Sequence, residues 1–108
     1  DYNWGLIGEA IGGWNDGDDI ALDYVGVDGG THTWSNEAVD FTAAQFKLRA
    51  NGTWDVNLGF SALTIEGSAA ANFVDAGADD NISAVEAGTY SVTLTTSDDG
   101  VSYVITFE

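Results

Sequence analysis

Tyr90-Ser91-Val92-Thr93-Leu94-Thr95, then Ser97-Asp98-Asp99-Gly100, then Val101-Ser102-Tyr103-Val104-Ile105-Thr106-Phe107 is the stretch that decides the fold. Tyr90, Val92 and Leu94 alternate with Ser91, Thr93 and Thr95, and Val101, Tyr103, Ile105 and Phe107 stand at every second position of the later run. Successive side chains of an extended chain point to opposite faces, so a period of two marks a half-buried strand. The Asp99-Gly100 step between the runs suits a tight turn, because glycine accepts positive φ without a Cβ penalty. The pattern predicts a C-terminal antiparallel hairpin.

The same reading extends toward the N-terminus. Phe46, Leu48 and Ala50 alternate with Lys47 and Arg49, and Asn51-Gly52 predicts a turn that leads to Trp54-Asp55-Val56-Asn57. Ile20, Leu22 and Tyr24 predict one alternating strand before Asp28-Gly29-Gly30, and the segment from Trp4 to Ile11 reads as a strand near the start. Residues 67–87, rich in Ala, Gly and Asp around Phe73-Val74 and Ile82, read as short strands and loops at one end. No eleven-residue window favours a period of 3.6, and no internal repeat is visible. Short strands punctuated by Gly, Asn and Asp at intervals of about 8–12 residues predict an all-β, two-sheet antiparallel sandwich.

The whole chain, residues 1–108, reads as a single domain of a size that buries its own core, with 44% hydrophobic and 12% aromatic residues. It opens directly on strand-like sequence and reads as a module excised from a longer multi-domain protein. Two cations face eighteen carboxylates, a formal net charge of −16. Such a charge repels phosphate backbones and anionic lipid surfaces, which argues against nucleic-acid and membrane-surface binding and in favour of a monomer. With no Cys there is no disulfide framework, and no apolar run reaches the length of a membrane span.

Eighteen carboxylates raise the question of paired-acid glycoside chemistry, but in so acidic a chain close pairs arise by chance on solvated turns such as Asp79-Asp80. The single histidine, His32, reads as a surface residue and gives no support to a catalytic triad. Asn15-Asp16-Gly17-Asp18-Asp19 offers hard oxygen ligands that leave calcium open, yet it lacks EF-hand spacing and reads first as a solvated acidic turn. The acidity also fits a salty habitat, where ions screen self-repulsion. Asn51-Gly52-Thr53 and Asn81-Ile82-Ser83 match the glycosylation sequon, a triplet common by chance.

The tryptophans carry more information. Trp4 lies on an apolar strand and reads as core, whereas Trp14 and Trp54 each follow a Gly-containing turn, where side chains tend to be exposed. Exposed tryptophan usually serves binding. Trp34, near His32, has no readable orientation. Lys47 and Arg49, two apart in one strand, share an outward face; they can pair with surface carboxylates or donate charge-assisted hydrogen bonds to a hydroxyl-rich ligand. Trp faces beside a few long donors suit a sugar chain, whose rings present flat C–H patches while their hydroxyls seek partners.

The stretch from Phe46 to Gly59, Phe46-Lys47-Leu48-Arg49-Ala50-Asn51-Gly52-Thr53-Trp54-Asp55-Val56-Asn57-Leu58-Gly59, resembles the signature of the SusE/SusF type of starch-binding outer-membrane lipoproteins of Bacteroidetes, and is similar to small β-sandwich modules of bacterial pullulanases. Trp4-Gly5-Leu6-Ile7-Gly8, Gly13-Trp14-Asn15, Asp80-Asn81-Ile82 and Ala87-Gly88-Thr89-Tyr90 follow the family's order. The resemblance implies an immunoglobulin-like β-sandwich that binds α-glucan without cleaving it, at the cell surface, attached to the outer membrane through other parts of the parent protein. It implies an arc of two aromatics, Trp14 and Trp54, aided by Lys47 with Arg49 as second choice, by Asn81 as amide ligand and by Asn57 as a weaker candidate. Leu58 departs from the family, which usually has an aromatic there. The expectation is a non-enzymatic carbohydrate-binding module without a required cofactor; a structural spacer module and a binder of another polysaccharide such as a β-glucan stay open.

Overall fold

Alternating apolar positions pair off into two stacked sheets in the computed structural model, which describes residues 2–96 and 102–108. The first sheet runs β2 (Ile20–Ala21), β1 (Trp4–Ile7), β5 (Gln45–Ala50), β9 (Ile82–Ala84) and β8 (Phe73–Asp75), with β6 (Asn57–Leu58) also paired to β5. The second runs β3 (Asp23–Asp28), β4 (Thr31–Phe41), β10 (Gly88–Thr96), β11 (Tyr103–Phe107) and β7 (Leu63–Glu66). Among the described residues all strand pairings are antiparallel except β7 with β11. Among the described residues the helical segments are short 3₁₀ turns, at Glu9–Ile11, Phe60–Ala62 and Ala70–Asn72. The all-β sandwich matches the expectation from alternation.

The C-terminal strands pair as expected, with Val92 opposite Phe107 and Leu94 opposite Ile105, all four fully buried. The Ser97-Asp98-Asp99-Gly100 turn and Val101 lie outside the described residues. Phe46, Leu48 and Ala50 all face the core from β5. Four phenylalanines join the sheets. Phe73 of β8 stacks on Phe107 of β11 with ring centroids 3.7 Å apart, and Phe41 of β4 meets Phe46 of β5 at 5.1 Å. Each such ring, removed from water, contributes about 1.5–3 kcal/mol.

Three sequence expectations are corrected. Ile20, Leu22 and Tyr24 do not share one strand: β2 belongs to the first sheet and β3 to the second, and buried Leu22 sits where the chain crosses between them. The first strand ends at Ile7, because Gly8 adopts φ 146°, ψ 171°, and the chain then winds into the turn Glu9–Ile11. His32 is not a free surface residue. Its Nδ1 lies 2.8 Å from the Tyr24 hydroxyl and its ring stacks on Trp34, 6.1 Å away. The eleven-residue β4, which holds both His32 and Trp34, has no clean alternation and was not legible as a strand. Trp4 and Trp34 are buried, Trp34 donating its indole N–H to the Tyr2 carbonyl at 3.1 Å.

Candidate glycan-binding groove

β5 is the foundation of the site. Its inward residues Phe46, Leu48 and Ala50 anchor it in the core, so the period of two turns Gln45, Lys47 and Arg49 to the outer face of the first sheet. Two loops lie over that face. Residues 12–19, following the first 3₁₀ turn, carry Trp14, and residues 51–56, between β5 and β6, carry Trp54. A double hydrogen bond between Gly8 and Gly13, 2.8 Å in each direction, ties the root of the first loop to the end of β1. At the second, Asn51 at φ 58° and Gly52 at φ 68° reverse the chain, and Val56 accepts from the Ala50 N–H at 2.9 Å. This is the turn the Asn-Gly pair predicts.

The loops bring Trp14 and Trp54 together, with ring centroids 6.2 Å apart and planes inclined by 31°. Trp54 is 45% exposed; Trp14 is half-buried, less open than its turn sequence suggests. Both line an open groove of about 450 Å³ together with Glu9, Gln45, Lys47, Asp79 and Asn81. Lys47 donates to the Asp79 carbonyl at 3.2 Å. Asn81 is 8% exposed and its side-chain amide donates to Gln45 Oε1 at 3.0 Å. Of the six residues that the resemblance implies, Trp14, Trp54, Lys47 and Asn81 line one groove, and Gln45, Glu9 and Asp79, which neither pattern nor resemblance pointed to, line it with them. The available signal for Gln45 was its place two residues before Lys47, on the same face of the same strand.

The segment around Asn81 is held by its neighbours. Asp80 accepts from the Ser61 N–H at 3.0 Å and the Ser61 hydroxyl at 2.7 Å, and its carbonyl accepts from the Phe60 N–H at 2.8 Å. The two Ser61 hydrogen bonds, chiefly that of the hydroxyl, hold the Asp80 carboxyl below its ordinary range. Gly59 lies so close beneath Asp80 that a Cβ there would collide with its backbone.

Arg49 and Asn57 require correction. Arg49 points to the outer face as predicted, yet it is 0% exposed, because the 12–19 loop closes over it. Its Nε and Nη2 donate to Asp19 at 2.7 and 2.6 Å, Nη2 also reaches Asp16 at 3.2 Å, and Cζ lies 4.9 Å from the centre of the Trp54 ring. A group so covered has no surface to offer a ligand. Asn57 donates to the Trp54 carbonyl at 3.1 Å and steadies that turn, and does not itself line the groove. Leu58, where the resemblance leads one to expect an aromatic, packs in the core and takes no part in the groove.

The acidic loop is also more than a solvated turn. Asp16 and Asp19 face Arg49, and Asp18 accepts from the Asn15 N–H at 3.0 Å. Hydrogen bonding from Arg49 is the main cause that lowers the Asp19 carboxyl below its ordinary value and raises the guanidinium above its own. Among the described residues no group of three or more acidic or imidazole side chains converges as a metal cage would require.

A rigid sandwich that presents two inclined indoles beside amide and ammonium donors has the make-up of a carbohydrate-binding module. The chain belongs to the SusF/SusE family of starch-specific carbohydrate-binding modules, whose sequence model matches residues 3–102. Membership makes it a non-catalytic, starch-binding module with a polysaccharide as its partner. The fold is similar to that of SusF from Bacteroides thetaiotaomicron, with a TM-score of 0.71 and 24% sequence identity over 98% of this chain. The chain spans 24% of the length of that SusF chain. No curated protein sequence matches it.

Proposed function

We propose that the groove between Trp14 and Trp54 holds a segment of α-1,4-glucan, with the two indoles stacking on successive sugar rings. The observation that carries this reading is the 31° inclination of the two rings at 6.2 Å. A curved α-glucan turns from one ring to the next and so meets two inclined planes, whereas a flat β-glucan favours coplanar ones. Lys47 and the Gln45–Asn81 amide pair stand within the same groove as hydrogen-bond partners for the sugar hydroxyls. The module acts as a monomer at the cell surface, attached to the outer membrane through other parts of a longer protein. A shallow open site of this kind binds with a Kd of roughly 10 μM to 1 mM, about −7 to −4 kcal/mol, and several modules in one protein raise retention by avidity.

Calorimetry and affinity electrophoresis with amylopectin, on wild type beside Trp14→Ala and Trp54→Ala, test the proposal. We expect wild type to bind and both variants to lose most of their affinity. No binding by folded wild type overturns the α-glucan reading, and full binding by both variants overturns the site. Preference for a β-glucan on an array of immobilised glycans overturns the assigned linkage.

A further inference from the structure

Arg49 is fully buried on the outer face of the first sheet, opposite Gly5 of β1, with no contact to solvent. It touches both loops that carry the groove's aromatic rings. Through Nη2 it reaches Asp16, two residues beyond Trp14, and through Nε and Nη2 it grips Asp19 at the end of that loop. Its Cζ lies 4.9 Å from the centre of the Trp54 ring on the other loop. The root of the first loop is also tied to the end of β1 by the Gly8–Gly13 pair, and that of the second to β5 by the Ala50–Val56 hydrogen bond and to Asn3 by two hydrogen bonds of Asn51, at 2.8 and 2.9 Å.

A buried ion pair is weak ground for stability, since apolar residues of the same volume often do as well or better. Here the arrangement even leaves Arg49 Nη1 without a hydrogen-bond partner among the described residues. The guanidinium supplies something an apolar side chain does not: a planar face for an indole and, at its edge, directional donors for carboxylates. We infer that Arg49 is a positioning residue that pins the Trp14 loop to the Trp54 ring, sets the spacing and inclination of the two indoles, and never touches the glycan. The inference rests on the groove being the glycan site. By holding the rings in place before the ligand arrives, the pin removes an ordering cost from binding.

Two indoles at fixed inclination and short range couple their far-UV transitions, giving a circular dichroism couplet that the control variant Trp54→Phe would identify by its loss. We would measure this couplet, thermal unfolding and calorimetric affinity for maltoheptaose in wild type, Arg49→Met, Arg49→Lys and Asp16→Ala. Asp16 has a side chain 90% exposed, so Asp16→Ala keeps the test readable if Arg49→Met does not fold. We expect Arg49→Lys to stay folded by keeping a charge against Asp19, with a lowered unfolding midpoint from the lost two-atom grip, and to lose most of the couplet and about tenfold in affinity; Asp16→Ala should weaken both more mildly, by about threefold in affinity. A couplet and affinity unchanged in Arg49→Lys and Asp16→Ala, or a wild type without a couplet, overturns the inference. A couplet that falls in the variants while wild type binds no maltoheptaose supports the pin and overturns the glycan reading instead.

Discussion

Trp54 offers nearly half its surface to solvent while Arg49 behind it offers none, and that difference assigns their roles. Replacing Trp54 with Ala removes a stacking face and uncovers the Arg49 guanidinium that its ring lies against. Maltoheptaose affinity should therefore fall by about tenfold or more, with a loss in unfolding free energy of about 1 kcal/mol from the cation–π contact, read by calorimetry and urea titration. Asp19 behaves in the opposite way. Asp19→Ala strands a buried guanidinium with only the weaker Asp16 contact, and urea titration should show a loss of about 3 kcal/mol. Trp54 was legible because tryptophan after an Asn-Gly turn rarely finds cover. The burial of Arg49 was not, because alternation tells which face a side chain takes and says nothing of a loop folding over it.

At the scale of elements, β5 is the organising strand and the root of the Trp14 loop is its most constrained neighbour. Gly8 adopts φ 146°, ψ 171°, a region essentially reserved for glycine, and a Cβ there would lie 2.8 Å from that of Phe46. Gly8→Ala should cost about 1–3 kcal/mol in backbone strain and more from the forced approach to β5, and it should loosen the Gly8–Gly13 pair that carries the Trp14 loop. A lowered urea midpoint together with weaker maltoheptaose binding is the expected result. The hairpin strands β10 and β11 and the core face of β5 were legible from period-two patterns. β4 was not, because its polar and aromatic residues do not alternate and its membership is set by the strands on either side. The break between β2 and β3 was hidden for a related reason: alternation continues through a crossover that changes sheets.

For the whole molecule, a charge of −16 sets the response to salt and pH. Mutual repulsion of solvated carboxylates opposes the compact state, and screening shortens its range from about 10 Å at 0.1 M to about 3 Å at 1 M salt. The melting temperature should therefore rise with NaCl over that range, while the Arg49–Asp19 pair, shielded from ions, keeps its contribution. Acid acts in two stages. Mild acid protonates surface carboxylates and relieves repulsion. Asp19 titrates below its ordinary value because Arg49 holds it ionised, so its contribution is fully present above the ordinary aspartate value of 3.8 and is lost as pH falls through the lower folded value. Urea midpoints followed from pH 7 downward should rise or hold and then fall, and the final fall should be shallower in Asp19→Asn.

Local chemistry was enough to reveal an all-β chain, the strands that supply its core, the turn beneath Trp54 and the loop positions of Trp14 and Trp54, because alternation and turn residues are properties of neighbours along the chain; Lys47 and Asn81 were singled out by the family resemblance. The inclination of the two indoles, the entry of Gln45 into the groove and the withdrawal of Arg49 from solvent arise where loops far apart in sequence meet over one sheet face. Such meetings depend on which strands pair and what covers them, and no run of adjacent residues encodes that.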